Sequence, residues 1–432
     1  MSFRTSLSGL DASATDLSVI GNNIANASTN GFKESRTEFA DVFATSFTGV
    51  SGNSPGSGVR VSSVSQQFGQ GNVEFTSSNL DLAVNGEGFF VLDDAGTNAY
   101  TRAGSFTTDK DGFVVDSSGR QLQTFPANAN GTFNTGALAS LQLSTGDSAP
   151  SASTTVTPVL NLNAQQVTPS GYGGASPINP ALFDVTDADT YNHSTSTRVY
   201  DSLGNDFSAT MYYVASDPSA NEWQVHTYVD GTRLSLNGTT DNFFTMTFDG
   251  LGSFTDISVD NGGAPIVTTN GDIAFDGLAL GNGATDLTLT FDYSDTTQYG
   301  GDFAVNSLSQ DGFASGRLSG ISIDESGIVS ATFTNGQSTE LGQVALATFP
   351  NTKGLRQLGD TSWAETFGAG DRVIGSAGTA GFGSLQSGAL EASNVDIATQ
   401  LVSLITAQRN FQANAQAIST ENEIQTAIIN IR

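Results

Sequence analysis

The sequence predicts a mainly β protein with long terminal α-helices, a nested multidomain chain in which a helical N/C-terminal pair brackets antiparallel β domains. Three observations predict it. Apolar residues at both ends recur at alternating steps of four and three, the rhythm of a helical seam. Apolar residues in the middle alternate with polar ones, the rhythm of a strand. Asn-Gly and Asp-Gly pairs punctuate that middle throughout, supplying the positive φ of tight hairpins.

The first helix starts from Phe3 and carries Leu7, Leu10, Ala14, Leu17, Gly21 and Ile24 along one narrow ridge. It is expected to stop near Asn26, because Asn30-Gly31 is a turn and C-cap signal. Asn22, Asn23 and Asn26 crowd its end. Asparagines break and cap helices, and their short amides also suit contacts with backbone or with a neighbouring subunit.

The last helix is longer, since no Gly or Pro follows Gly388. Ser393 or Asn394 is the expected cap, with Asp396 favouring the positive helix end. Ile397, Leu401, Leu404, Gln408, Phe411, Ala415 and Ile418 repeat the four–three rhythm, and Ile424, Ile428 and Ile431 resume it one residue out of phase. A helix over 394–432 would be about 58 Å long at about 1.5 Å per residue.

Between the ends, Leu287, Leu289, Phe291 and Tyr293 alternate with polar residues, as do Trp223, Val225, Thr227 and Val229, and Phe244, Met246 and Phe248. Asp111-Gly112, Asp230-Gly231, Asn270-Gly271 and Asn335-Gly336 are among the turn pairs. Stretches rich in Ser, Gly or Ala at 51–58, 148–155 and 375–388 read as linkers. The expected division is therefore nested: 1–28 with 394–432 as paired terminal helices, 29–72 with 366–393 as an extended linker region, 73–155 with 297–365 as an inner β domain, and 156–296 as an outer β domain. Residues 151–300 hold 17 acidic side chains against Arg198 and Arg233, a net of -15 out of the chain's -28, which fits a solvated outermost domain.

Composition removes whole classes of function. With 43 acidic against 15 basic residues, a phosphate backbone or an anionic lipid surface would be repelled, so neither nucleic-acid binding nor membrane insertion is expected. No cysteine is present, which excludes disulfides, thiolate metal sites and cysteine nucleophiles. His193 and His226 are the only histidines; His193 falls in a polar loop and His226 on an exposed or half-exposed strand face. Gly52-Asn53-Ser54-Pro55-Gly56 matches the form of a nucleophile elbow, but Pro55 stands where the helix should begin and no histidine is placed to activate the serine. Asp109, Asp111 and Asp116, and Asp184, Asp187 and Asp189, lack calcium-loop spacing and read as turn formers. No enzyme activity and no cofactor are expected.

The two terminal ridges remain as the informative feature. Each is narrow, and the rest of each helix is rich in Ser, Thr, Asn, Gln and Ala, with Ala398, Ala407, Ala413, Ala415, Ala417 and Ala427 permitting close helix approach. Such helices suit lateral packing with one another and with further copies. The expected self-assembly residues are Leu7, Leu10, Ala14, Leu17, Asn22, Asn23, Ile24 and Asn26 at one end, and Ile397, Leu401, Leu404, Phe411, Ile418, Ile424 and Ile428 at the other.

At this point the residues match a family. Asn22-Asn23-Ile24-Ala25-Asn26 with Thr29, Gly31, Phe32 and Lys33 resembles the amino-terminal signature of bacterial flagellar rod and hook axial proteins. Gly388-Ala389-Leu390-Glu391, Ser393-Asn394-Val395-Asp396 and 407–414 resemble its carboxy-terminal signature. The segment 310–318, followed by Leu341-Gly342-Gln343, Ala345-Leu346-Ala347 and Phe349, is similar to the hook branch. The resemblance implies an extracellular helical homopolymer, exported without a cleaved signal, whose terminal helices form an inner tube. It also implies a curved flexible tube that couples rod to filament and transmits torque. Implied partners are the chain itself, the rod and hook–filament junction proteins, the hook cap and the flagellar export apparatus. The alternatives are a distal rod protein, which the acidic β insertion disfavours, and a secreted acidic β-rich adhesin or calcium-binding module.

Overall fold

The computed structural model describes residues 3–42, 56–128, 130–143, 146–236, 242–259 and 266–430. The chain is nested. One compact unit takes 1–145, 319–332 and 338–432, and a second takes 146–318 and 333–337. Residues 146–155, 297–318 and 333–337, expected with the inner domain, group with the second unit, where Ala304–Gln310 pairs along Thr155–Asn161. Of the expected linkers, 51–55 lies outside the described residues. The stretch 375–388 is two strand ends joined by a turn: Val373–Ser376 pairs with Ser338–Thr348, Ser384–Ser387 pairs with Leu82–Asn85, and Ala377 and Leu385 are buried. Around 148–155, bridges join Ser148 to Gly316 and Ser151 to Phe313.

In the first unit, α1 (Phe3–Ala25) and α2 (Ile397–Asn430) lie antiparallel. α1 ends where the Asn26 amide N–H bonds Asn22 O at 3.1 Å and the chain turns to Gly31, whose φ of +69° and close approach to Ala103 N exclude a Cβ. α2 is capped by Asp396 and not by Ser393 or Asn394. The Asp396 carboxylate accepts the Thr399 N–H at 2.6 Å, and its carbonyl accepts the Gln400 N–H at 2.9 Å. That bond to the helix end holds the Asp396 carboxyl below its usual range. Beside the helices, β1 (Ser35–Asp41) and β2 (Val59–Gln66) form an antiparallel ribbon with a bulge at Glu38/Phe39.

The body of this unit is a mixed-length sheet centred on Ser338–Thr348, which pairs with Gln121–Pro126, Phe89–Asp94 and Val373–Ser376. Its central strands are apolar on both faces. Phe90, Leu92, Val344 and Leu346 enter one core with Leu82, Val84, Leu122 and Leu385. Phe89, Val91, Ala345 and Ala347 enter another with Tyr100, Phe125, Phe349 and Trp363. This accounts for the unbroken runs Phe89-Phe90-Val91-Leu92 and Val344-Ala345-Leu346-Ala347, which a one-sided strand would not tolerate.

The second unit holds an antiparallel sheet over His193–Tyr200, Asp206–Asp217, Glu222–Val229, Phe244–Phe248, Phe254–Val259 and Ile266–Thr268. A second sheet combines Asp272–Ala274, Thr290–Asp292, Thr155–Asn161 and Ala304–Gln310. One pairing in it, Thr155–Asn161 with Thr290–Asp292, is parallel. Trp223, Val225, Phe244, Met246, Phe291 and Tyr293 share its core, as their alternation predicts.

Both histidines differ from expectation. His193 opens a strand and stacks on Phe303, with ring centroids 4.3 Å apart. His226 is fully buried: Phe183 lies flat on its ring at 3.9 Å, and Arg233 Nη2 meets its Nδ1 at 2.6 Å. The strand carrying it is covered on both faces, because the loop bearing Phe183 folds over the side that the alternation leaves polar. The aspartates cap turns. Asp109 accepts from Asp111 N and Phe113 N, Asp116 from Ser118 N and Arg120 N, and Asp184 from Thr186 N.

Candidate assembly surface

The most deeply buried positions of the helix pair are mostly small and polar side chains, and only part of the oily ridges joins them. On α1 the buried residues are Ser6, Ala12, Ile20 and Asn23. Gly9 lies so near α2 that a Cβ there would stand 2.7 Å from Asn414 Oδ1. On α2, Gln400 and Ala407 are buried. Small residues let the backbones approach, and dispersion gains from that closeness replace large apolar side chains.

The predicted assembly residues therefore divide. Asn23 is buried, and Leu404, Phe411 and Ile418 are half-buried on the α2 face that carries Gln400, Ala407 and Asn414. Leu10, Leu17, Ile24 and Asn26 are half-buried, whereas Ala14 and Asn22 are exposed. Leu7 is 48% exposed, Ile397 50%, Leu401 46%, Ile424 50% and Ile428 64%. The ridge on α1 is thus rotated one residue from the face turned to α2. Phe3, Val402, Ile405 and Ile429 add to the exposed apolar set on these two helices, and Phe39 and Val64 do so on the neighbouring ribbon. Isolated exposed leucines are ordinary; here the exposed apolar residues stand in rows on one pair of helices.

At the root of the pair, a polar clasp fixes the helices to the body. The Asn23 side chain behaves as a piece of backbone: its Nδ2 donates to Ser35 O at 2.8 Å and its Oδ1 accepts Ser35 N–H at 2.9 Å. The same Nδ2 reaches Gln400 Oε1 at 3.3 Å, and Gln400 Nε2 donates to Glu34 Oε1 at 2.8 Å. Asn394 Oδ1 accepts Glu34 N–H at 2.7 Å while its Nδ2 donates to Gln67 O at 2.8 Å. Below this, Glu391 is wholly buried between two cations, with Lys33 Nζ at 2.5 Å and Arg102 Nη1 at 3.2 Å. Gly71 N–H donates to the same carboxylate at 2.8 Å, and Gly69 O accepts from Lys33 at 2.8 Å. Burial lowers the Lys33 pKa against the opposing pull of Glu391.

Of these, Asn23, Lys33, Glu391 and Asn394 belong to the motifs that carry the family resemblance, but the residues alone gave no sign of their pairing. Gln400 and Arg102 carried no signal: one is an ordinary helix residue, and the other a lone cation in a strand–turn segment.

Family models match along the chain: the flagella basal body rod protein at 3–33, the flagellar hook protein FlgE/F/G D1 domain at 83–172, the flagellar basal body protein FlaE D2 domain at 161–313, and the flagellar basal body rod FlgEFG protein C-terminal region at 386–431. The flagellar hook protein FlgE of Salmonella typhimurium is 37% identical over 436 residues, covering 100% of each chain. That of Escherichia coli K12 is 35% identical over 438 residues, again covering 100% of each. That of Borreliella burgdorferi is 31% identical over 461 residues, covering 100% of this chain and 99% of the relative. Among solved structures, the Helicobacter pylori flagellar hook protein FlgE2 shares the fold at a TM-score of 0.51 and 16% identity, covering 74% of this chain and 100% of its own. With relatives at this identity aligned end to end, and with terminal helices that leave apolar ridges uncovered, the chain belongs to the flagellar hook protein family.

Proposed function

We propose that the chain is a structural subunit of the bacterial flagellar hook and that it polymerises through its terminal helices into a curved, flexible, hollow tube. The observation that carries this reading is the division of labour on the helix pair. Small and amide side chains with Ile20 fill the centre of the pair within one copy, and Leu7, Ile397, Leu401, Ile424 and Ile428 are left exposed for others. Burying apolar surface is worth about 25 cal/mol per Å², so several such side chains per copy give each contact enough to hold a tube while keeping single contacts weak. The tube couples rod to filament and transmits torque, and the subunit is not an enzyme.

Its further partners are rod and hook–filament junction proteins, the hook cap and the export apparatus, and it reaches the cell exterior without losing a signal segment. Mass spectrometry of protein taken from assembled hooks tests that last point, with an uncleaved amino-terminal region expected. Electron microscopy of the purified full chain tests the main reading. Curved hollow tubes support it; straight rods favour a distal rod protein, and the absence of any polymer contradicts both.

A further inference from the structure

The two contacts that close the helix pair also fix its register. In an antiparallel pair the numbers of facing residues add to a constant, and Gly9 with Asn414 and Asn23 with Gln400 both give 423. Phe3 then stands opposite Thr420. Residues 421–430 of α2 extend beyond the start of α1 by about 15 Å at about 1.5 Å per residue. From Asn422 to Asn430 every residue is exposed.

This overhang continues an interface already formed. The face of α2 turned to α1 passes through Ala407, Asn414 and Glu421 at steps of seven, and the next step is Ile428, with Ile424 beside it. Ile428 thus continues the pairing stripe past the end of the partner helix, with Ile424 and Ile429 flanking it on the exposed overhang. At the other end of α2, Ile397, Leu401, Val402 and Ile405 form a second exposed apolar stripe at steps of four. The two stripes lie at opposite ends of α2: Leu401 and Ile428 are separated by about 40 Å along the axis and, at about 100° per residue, face opposite sides of the helix.

Resting on the reading that the chain polymerises, we infer that the overhang of one copy packs against the Ile397–Ile405 stripe at the root of α2 in the next copy along the tube. A patch that paired with itself would close a dimer and stop. A contact between two different patches on one molecule leaves each end of the assembly open, as a growing tube requires. The overhang and the root stripe are different patches at opposite ends of one helix, and stacking copies in one direction brings the first onto the second.

Because the chain has no cysteine, engineered pairs report only the contact being tested. In assembled tubes of a chain carrying both Leu401→Cys and Ile428→Cys, mild oxidation is expected to give a ladder of covalent oligomers. The two sites within one copy are beyond the roughly 7 Å Cα reach of a disulfide, so every link joins two copies. A ladder from Leu7→Cys with Ile428→Cys, and none from the first pair, would place the overhang on the start of a neighbour's α1 and overturn the inference. Tubes that form with no ladder from either pair also overturn it, while leaving the hook reading intact. As a second measure, Ile424→Asp with Ile428→Asp is expected to raise the critical concentration for polymerisation at least tenfold without reducing α-helix content. An unchanged critical concentration would contradict the inference. Failure of the unaltered chain to form any tube would remove the polymer reading and this inference with it.

Discussion

Asn23 and Gln400 lie 377 residues apart in the chain and share a hydrogen bond of 3.3 Å in a site closed to water. Asn23 also completes Ser35 on both its backbone groups, so one side chain ties α1, α2 and the entry to the β1–β2 ribbon. A buried polar group left without a partner costs about 1–3 kcal/mol, so such a knot is strong only when every member is satisfied.

Asn23→Ala is therefore expected to destabilise the helix pair by about 2–4 kcal/mol, because it strands Ser35 N–H, Ser35 O and the Gln400 amide together. Asn22→Ala, at an exposed position one residue away, is expected to change stability by less than about 0.5 kcal/mol. Thermal melts of assembled protein followed by the helical circular-dichroism signal compare the two. Equal effects would mean that the clasp contributes nothing special.

Glu391 pairs directly with both Lys33 and Arg102. Glu391→Gln keeps the shape but leaves two buried cations without their counter-charge, and breaking a buried ion pair from one side costs about 3–5 kcal/mol. Lys33→Met removes one cation, while Glu391 retains Arg102 and Gly71 N–H. Urea unfolding of the full chain is expected to rank Glu391→Gln as the more damaging of the two; the reverse order would refute this assignment of the charge balance.

His226 makes stability depend on pH in the second unit. Burial first, and the neighbouring Arg233 second, depress its pKa to about 3, against 6.5 for the free side chain. The folded state therefore binds fewer protons than the unfolded state between these values. The contribution is complete above pH 6.5 and is lost progressively as pH falls toward 3, by about 3–5 kcal/mol across the window. His226→Gln should flatten the acid limb of the urea midpoint relative to the parent over that range. An unchanged slope would show that His226 does not drive it.

How much of this was readable in the residues follows from which interactions are local. Helix and strand types were, since the three–four rhythm of Leu7 to Ile24 and the alternation of Leu287 to Tyr293 are properties of short windows. The face of α1 turned inward was not. Ser6, Gly9 and Ala12 do not look like a core, and a hydrophobic ridge reads the same whether its partner is the same chain or another copy. His226 was misplaced because the Phe183 loop that covers it lies 43 positions away in the chain. Lys33 and Glu391, 358 residues apart, were visible as motif members but not as a pair.

The central claim is that the ridges left bare on the helix pair are covered by other copies. Single-cysteine chains carrying Leu7→Cys, Leu401→Cys or Ile424→Cys allow thiol labelling rates to be compared between dispersed and assembled protein. The account predicts labelling slowed at least tenfold at all three positions on assembly, with a cysteine at exposed Leu251 in the second unit unaffected as a reference. Equal rates at the helix positions in both states would contradict it.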